Sequence, residues 1–263
     1  MGVLNVTPDS FSDGGRWFGR DDALRRAARM VAEGADIIDI GGESTRPGAE
    51  EVSEQEELDR VIPVLEALSG EIDALLSVDS SKPAVMREAA AAGAGMINDV
   101  FALRRAGALE AAGELGLPVC LMHMQGAPRT MQTDPRYADV VGEVEDFLLG
   151  RAAAAEAAGV DRDAIVLDPG FGFGKNLDHN LALLRALPRL CVHGYPVLAG
   201  LSRKSMLQAL TGRAVEDRLA GSLALALAAA RGGASIVRVH DVAETVDVLR
   251  VMAAAWPEAP PPG

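Results

Sequence analysis

The chain has 263 residues, a formal net charge of −13 and only two cysteines; 49% of its residues are hydrophobic but 4% aromatic, so small aliphatic residues must build the core. The acidic balance argues against a general nucleic-acid or anionic-membrane surface, because such surfaces are basic. The sequence has no long uncharged apolar run, so no transmembrane helix is predicted, and no signal peptide is expected. Cys120 and Cys191 lack metal or redox spacing, which predicts reduced thiols and a cytoplasmic location.

Short apolar strands alternate with helices along the whole chain. The first strand is predicted at residues 1–4, followed by a helix at residues 21–33 with Asp21 as its N-cap. Ser53 and Glu56 form a capping-box pattern before the second helix, and Ser81 is predicted to cap the third. Further strands are predicted at residues 36–40, 74–78, 95–97, 118–122, 164–167, 196–199 and 235–237, and two long helices at residues 140–158 and 242–255.

Eight buried strands separated by helices indicate a parallel sheet. Eight repeats in this length favour a closed (β/α)₈ TIM barrel of one domain over a doubly wound open sheet. The barrel is expected to span residues 1–255, and residues 256–263 are expected to form a disordered Pro-rich tail.

Unusual polar residues cluster where the predicted strands end. They are Asn5; Glu43, Ser44, Thr45 and Arg46; Asp79; Asn98; His123 and Gln125; Asp168; Ser202, Arg203 and Lys204; and Arg238 and His240. In a barrel these positions surround one mouth, the C-terminal face where active sites form. This pattern predicts an enzyme.

The loops after the first two strands carry the motifs NVTPDSFSDGG (5–15) and GGESTRPG (41–48). The first combines carboxylates, hydroxyls and glycines, which suits a ligand-handling loop better than packing. In the second, Arg46 either binds an anion or lies on the surface beside acidic residues. Asp79 and Asn98 either contact ligand or cap the helices that follow them, and the barrel context favours ligand contact. Asp99 is expected to be a helix cap.

The motif LDPGFGFGK (167–175) sends Asp168 from an apolar strand into a glycine-rich loop. A carboxylate buried there needs donors, and the paired N–H groups of a flat amidine-like heterocycle would supply them. Lys175 has no P-loop spacing and is expected to be a solvated lysine.

Near the end of the chain, GLSRKS (200–205) places Ser202 close to a helix start, where anions are favoured, with Lys204 in reach of the mouth. Arg238 and His240 are two residues apart on a strand and should share a face, an arrangement that suits phosphate or diphosphate. Asp241 is expected to cap the last helix.

These segments resemble the dihydropteroate synthase family, and the resemblance covers residues 1–251. Four more motifs contribute to it: SVDS (77–80), INDV (97–100), MHMQG (122–126) and RVHDV (238–242). The resemblance implies a (β/α)₈ barrel, usually a homodimer, that requires Mg²⁺. It implies condensation of 6-hydroxymethyl-7,8-dihydropterin diphosphate with 4-aminobenzoate, and inhibition by sulfonamides. Family members normally have residues ahead of the first motif.

The resemblance also implies roles for individual residues. Asp79, Asn98, Met122, Asp168 and Lys204 would surround the pterin; Arg238 would stack on it and, with His240 and Asn5, hold the diphosphate; Asn5 would also bind Mg²⁺. Thr45, Arg46, Pro47, Phe173 and Ser202 would form the aminobenzoate pocket, joined by Phe11 and Asp13 on loop closure. The catalytic set would be Asp13, Asp168, Lys204, Arg238 and His240.

Three alternatives compete with this interpretation. A corrinoid-linked, pterin-binding methyltransferase would share the pterin site but lack the aminobenzoate loops and SRKS. An inactive paralogue would bind pterin without turnover. An aldolase-type barrel would need a Schiff-base lysine at a strand end, and Lys204 lies beyond its strand.

Overall fold

Short parallel strands in chain order form the centre of the molecule. The computed structural model describes residues 1–6, 15–44 and 51–257, and of residues 15–19 only the backbone. In these parts of the chain the strands are β1 Gly2–Asn5, β2 Ile37–Gly41, β3 Leu75–Asp79, β4 Met96–Asp99, β5 Val119–Met122, β6 Ile165–Asp168, β7 Leu198–Ala199 and β8 Ile236–Val237.

The strands close into a barrel. β1 to β6 pair in parallel in sequence order, and β7 pairs in parallel with β8. A bridge between Leu167 and Val197 joins β6 to the β7 segment, and one between Gly2 and Val239 joins β1 to the β8 segment. The Val3 N–H donates to the Val239 carbonyl at 3.0 Å, so the ring is closed by ladder hydrogen bonds. The predicted (β/α)₈ fold is confirmed.

Helices cover the outside of the barrel. In the described residues they are α1 Gly15–Ala32, α2 Glu54–Leu68, α3 Pro83–Ala91, α4 Ala108–Leu115, α5 Val140–Ala157, α6 Leu177–Arg185, α7 Leu187–Cys191, α8 Ser205–Thr211, α9 Leu219–Arg231 and α10 Val242–Ala255. None of them combines the length and hydropathy needed to cross a membrane. Helix α1 begins six residues before the predicted Asp21, whereas Ser53 caps α2 as predicted, accepting the Glu56 N–H at 3.2 Å.

Two predicted caps are wrong because the side chains have other partners. The N-cap of α3 is Lys82 rather than Ser81, whose hydroxyl donates to the buried Asp99 carboxylate. Asp99 in turn accepts N–H groups from Phe101 and Leu103 at 2.8 and 2.7 Å. It holds the left-handed turn after β4, where Leu103 has φ 57°, instead of capping α4.

The interior of the barrel has an apolar lower layer and a polar upper layer. The lower layer packs Met1, Ile37, Met96, Cys120, Val166, Leu198 and Ile236 together. Because side chains alternate along a strand, the residues two positions further on lie on the same inner face, one layer nearer the C-terminal mouth. They include Asp39, Asn98, Met122, Asp168 and Arg238. The strand period thus delivers the polar side chains to the mouth.

Trp256 lies just beyond α10 and the Arg231 guanidinium stacks over its ring at 4.4 Å. Residues 258–263, most of the predicted tail, lie outside the described residues, so the tail and the exact domain limits stay predictions.

Candidate active site

A cluster of charged and polar side chains closes the floor of the mouth. The Asp39 cluster comprises Asp39, Ser77, Asp79, Asn98 and Arg238. Asp39, fully buried on β2, accepts hydrogen bonds from the Arg238 Nε at 2.6 Å, the Asn98 Nδ2 at 3.0 Å and the Ser77 hydroxyl at 2.7 Å. The Arg238 Nη2 donates to Asp79 at 2.9 Å. Four strands are therefore linked through one guanidinium and two carboxylates.

The charges in this cluster shift one another. Burial, followed by the negative charge of Asp39, raises the pKa of Asp79 to about 8 although Arg238 opposes this. Burial acts to lower the pKa of Arg238, but Asp39 and Asp79 outweigh it and raise the pKa above its usual value. Arg238 is thus permanently charged, while Asp79 can gain or lose a proton near neutral pH.

A second cluster lies under the loop that follows β6. The Lys175 cluster comprises His123, Gly170, Phe173 and Lys175. The Lys175 ammonium donates to the carbonyl oxygens of Gly170 at 2.8 Å, Phe173 at 2.9 Å and His123 at 3.3 Å, and lies 3.0 Å from the His123 Nδ1. Lys175 is only 3% exposed, so the prediction of a solvated lysine is wrong. Backbone carbonyls replace the water that would otherwise hydrate it.

Neither titratable group of the Lys175 cluster has an ordinary pKa. Burial, partly offset by Asp168, lowers the pKa of Lys175 to about 7. Burial and the charges of Lys175 and Arg104 lower the pKa of His123 to about 3, so this imidazole is neutral. Its ring packs edge-on against Phe147 with centroids 4.9 Å apart, which fixes its position.

Asp168, which the resemblance assigned to the pterin, and Phe173, which it assigned to the aminobenzoate pocket, both lie near Lys204 at the mouth. The Asp168 Oδ1 accepts the Gly170 N–H at 2.7 Å, and burial raises the pKa of Asp168. The Lys204 ammonium lies 4.2 Å above the Phe173 ring, in cation–π contact. Burial, followed by the positive charge of Arg238, lowers the pKa of Lys204 to about 8. Met122 packs with Phe173 in an apolar wall beside them.

His240 has a different neighbourhood from Arg238. Its Nδ1 lies 3.0 Å from the Ser202 hydroxyl, which also accepts the His240 backbone N–H at 3.3 Å. Burial and then Arg238 lower the pKa of His240 to about 4, so the ring is neutral, with Nε2 remaining for a ligand. Asp241 is the N-cap residue of α10, as predicted, but its side chain makes no capping hydrogen bond and pairs with Arg203 instead.

Asn5 ends β1 beside the Asp39 cluster. A Cβ atom added to Gly41 would lie 3.7 Å from both the Asn5 Oδ1 and the Asp79 Oδ2, so two side-chain oxygens flank this glycine, of which the Asp79 oxygen already accepts from Arg238. Within the described residues, no group of three or more His, Cys, Asp or Glu side chains could hold a metal by itself. Mg²⁺ commonly binds through one or two protein oxygens together with substrate phosphates and water. The oxygen set therefore fits a Mg²⁺ ion that is bound together with a diphosphate.

Five of the implied site residues lie outside the described residues: Phe11, Asp13, Thr45, Arg46 and Pro47. The stem of the second loop is described. Arg60 donates to the Gly42 carbonyl at 2.7 Å, and Lys82 forms ion pairs with Glu43 and the buried Glu57. Helix α2 therefore anchors the base of this loop.

The sequence interpretation missed Asp39 and Lys175 as members of the site, and it placed His123 at the mouth without giving it a role. A signal for Asp39 was present, because it is the one charged residue between Ile37 and Ile40 in an apolar strand. A carboxylate within an apolar strand must find donors on other strands, and this indicates a position in the barrel interior. For Lys175 no comparable signal exists, because its partners are backbone carbonyls.

Fold and site together define a (β/α)₈-barrel enzyme whose mouth combines carboxylates, an amide and two cations. Residues 1–240 match the family described as pterin binding enzyme. The dihydropteroate synthase of Haemophilus influenzae is 57% identical over 251 residues, 95% of this chain and 91% of that relative. The chain therefore belongs to the pterin-binding enzyme family, among its dihydropteroate synthases.

Solved structures agree with this placement. The Yersinia pestis dihydropteroate synthase in a sulfonamide drug complex matches with a TM-score of 0.92 and 55% identity, over 97% of this chain and 93% of that one. The Xanthomonas albilineans dihydropteroate synthase with 4-aminobenzoic acid matches with a TM-score of 0.92 and 57% identity, over 97% of this chain and 92% of that one. The resemblance seen in the sequence is confirmed, and the aldolase alternative is wrong.

Proposed function

We propose that this transferase joins 6-hydroxymethyl-7,8-dihydropterin diphosphate to 4-aminobenzoate, and releases 7,8-dihydropteroate and diphosphate. The observation that carries the proposal is the polar upper layer of the barrel. It presents a buried carboxylate, Asp168, and two cations, Lys204 and Arg238, to one space at the mouth. A heterocycle with amidine-type N–H groups and an anionic tail matches that arrangement.

The pterin ring is assigned to the side of the mouth that Asp168 occupies. One Asp168 oxygen is oriented by the Gly170 N–H, and the carboxylate retains acceptor capacity for the amino-pyrimidine edge. Asn98 and Asp79 offer further polar contacts, Met122 an apolar one, and Lys204 a donor to ring acceptors. Because Asp168 is buried, its hydrogen bonds to a ligand are stronger than they would be in water.

The diphosphate is assigned to Arg238, His240 and Asn5. Asp39 and Asp79 take up the Arg238 Nε and Nη2, so the planar guanidinium is held rigidly with its remaining N–H groups available. Asn5 would hold Mg²⁺ together with the diphosphate, and the ion would supply neutralisation of the leaving group's charge. The aminobenzoate carboxylate is assigned to the Ser202 end, with Phe173 against its ring.

The reaction then needs little covalent work from the protein. The C–O bond between the exocyclic methylene and the diphosphate breaks, and the diphosphate leaves with the bonding pair. The aromatic amine forms the new C–N bond, and its released proton passes to solvent water. Arg238, with His240 as a further donor, stabilises negative charge on the diphosphate as it develops, and the Asp168 carboxylate favours positive charge on the pterin. No covalent enzyme intermediate is required.

A homodimer and a cytoplasmic location remain proposals. Cys120 and Cys191 are both free and buried, which suits a reducing compartment.

The decisive experiment is an assay of purified protein with the pterin diphosphate, Mg²⁺ and 4-aminobenzoate, in which dihydropteroate and diphosphate are both measured. Equal formation of the two supports the proposal. Pterin binding without turnover would point to an inactive paralogue or a methyltransferase, and absence of binding would refute the pterin site. A sulfonamide should compete with 4-aminobenzoate and not with the pterin.

Asp168→Asn tests the assignment of the pterin edge. The amide keeps the size but loses a charge-assisted acceptor, so pterin affinity should fall by about 2 kcal/mol, roughly thirtyfold. Calorimetric titration with 6-hydroxymethylpterin measures this. Asp163→Asn, on the exposed surface before β6, is a matched control that should bind like the wild type.

A further inference from the structure

Lys175 is a buried cation that the proposed chemistry does not use. Its ammonium is surrounded by carbonyl oxygens and an imidazole nitrogen, and its hydrogen bonds go to no carboxylate. Burying an ammonium in this way costs stability, and a methionine of similar length would fill the space without that cost. A role in packing alone therefore does not explain the charge.

The ammonium holds the backbone that carries two site residues. Both backbone groups of Gly170 are hydrogen-bonded, because its N–H donates to Asp168 and its carbonyl accepts from Lys175. The next partner, the Phe173 carbonyl, fixes the residue whose ring lies under Lys204. Lys175 thus binds the backbone that carries the Asp168 carboxylate and the Phe173 ring, and its hydrogen bonds go to carbonyl oxygens rather than to these side chains.

The loop is also pressed tightly onto the segment after β5. A Cβ atom added to Gly170, which has φ 67°, would lie 1.9 Å from the His123 carbonyl oxygen. One added to Gly174, which has φ 62°, would lie 2.5 Å from the Gln125 carbonyl oxygen. Tyr137 donates to the Gly174 carbonyl at 2.8 Å. The two segments therefore bring the His123 and Gly170 carbonyls close together, and the Lys175 ammonium donates to both.

We propose that Lys175 is a positioning residue for the pterin subsite, whose ammonium fixes the loop 169–174 so that Asp168 and Phe173 face the barrel mouth. The proposal rests on the function proposed above. The charged form is the active one, because it has three N–H donors for this set of acceptors, whereas the neutral amine has two.

The role of the Lys175 ammonium implies that pterin binding and the pKa of Lys175 are coupled. The pKa of Lys175 lies near 7, so the ammonium is lost as the pH rises through neutrality. If pterin binds preferentially to the charged form, pterin binding must raise the pKa of Lys175, because linkage is reciprocal. The ionisable groups that face the ammonium are His123, Asp168 and Lys204, with Arg104 behind His123. The measurement must therefore be specific to Lys175.

The first test compares Lys175→Met with the wild type and with Arg87→Met, which removes an exposed cation on α3. We expect the Kd of Lys175→Met for 6-hydroxymethylpterin to rise about tenfold or more, a loss of about 1.4 kcal/mol. Its KM for 4-aminobenzoate, at saturating pterin diphosphate, should rise less than the pterin Kd, because Phe173 is only one of several residues assigned to the aminobenzoate pocket. Arg87→Met should match the wild type in both. An unchanged pterin Kd in a folded Lys175→Met protein would overturn the proposal.

The second test uses the wild-type protein and does not depend on whether the variant folds. The sequence contains three lysines, Lys82, Lys175 and Lys204, so ¹³C-lysine labelling gives three side-chain NMR signals. We expect the Lys175 signal to titrate at a higher pH when the protein is saturated with 6-hydroxymethylpterin. An unshifted titration would overturn the inference alone, whereas failure of the wild type to bind the pterin would overturn the proposed function with it.

Discussion

The Asp39 cluster and the Lys175 cluster stabilise buried charge in opposite ways. In the Asp39 cluster, one guanidinium is matched by two carboxylates that rise from strands of the barrel. In the Lys175 cluster, an ammonium is held by carbonyl dipoles of two loops. Strand-borne charge pairs depend on side chains alone, whereas a carbonyl cage depends on the backbone path. Side-chain deletions should therefore damage the first cluster most, and backbone changes the second.

The largest expected effect comes from Arg238→Met. The variant leaves the Asp39 and Asp79 carboxylates buried without their cation, which should lower the free energy of unfolding by about 3–5 kcal/mol. It should also weaken the pterin diphosphate more than 4-aminobenzoate, because only the former carries the diphosphate. Urea unfolding and the two KM values measure these effects.

The double variant Asp39→Asn, Arg238→Met is the control for this prediction. Removing the Asp39 charge, which has lost its cation, should recover part of the stability lost in Arg238→Met. If the double variant were less stable than Arg238→Met by the full cost of a second deletion, the cluster would not be held by charge pairing.

The next effect tests the backbone dependence of the Lys175 cluster. Gly170→Ala and Gly116→Ala both place a side chain at positive φ, 67° and 60°, so both carry the left-handed cost of about 1–2 kcal/mol. Only Gly170→Ala also drives a methyl group into the His123 carbonyl, whereas Gly116 faces open space. We expect Gly170→Ala to lose about 1–3 kcal/mol more than Gly116→Ala.

Gly170→Ala should in addition weaken 6-hydroxymethylpterin binding, while Gly116→Ala should not. Equal stability losses in the two alanine variants, with wild-type pterin binding in both, would show that the loop tolerates a changed backbone path. The contrast between the two clusters would then disappear.

The same contrast explains which parts of the molecule the sequence could predict. Alternating strands and helices, and polar residues at strand ends, were enough for the closed barrel and for the placement of Asp79, Asn98, Asp168 and Arg238 at one mouth. These features depend on strand period and chain order, which are local properties of the sequence. The partners of Lys175 are backbone atoms brought together by a loop conformation, and backbone atoms carry no residue-type signal.

Predicted side-chain caps failed to form for a related reason. Ser81 and Asp99 precede helices closely enough to be caps and Asp241 is the N-cap residue of α10, yet the side chain of each has its partner elsewhere. Ser81 and Asp99 bind one another, and Asp241 pairs with Arg203 across 38 residues of sequence. Tertiary ion pairs and buried hydrogen bonds outweigh a local cap, whose contribution is about 1 kcal/mol.

The most specific prediction, and the smallest over any one pH unit, is that the two clusters give opposite pH dependences of stability. The pKa of Asp79 is raised from 3.8 to about 8 in the folded protein. Its stabilising contribution is thus complete below pH 3.8 and is lost as the pH rises through 8. The pKa of Lys175 is lowered from 10.5 to about 7, so its contribution is present above pH 10.5 and is lost as the pH falls through 7.

Urea unfolding of the wild type, Asp79→Asn and Lys175→Met at closely spaced pH values isolates each slope. The stability of Asp79→Asn minus that of the wild type should rise between pH 4 and 8, since the variant lacks a group whose contribution declines there. The stability of Lys175→Met minus that of the wild type should fall between pH 7 and 10. Each slope is at most about 1.4 kcal/mol per pH unit. Slopes of the same sign would mean that folding raises the pKa of Lys175 instead of lowering it. The carbonyl dipoles would then hold the ammonium as firmly as the carboxylates hold the Arg238 guanidinium.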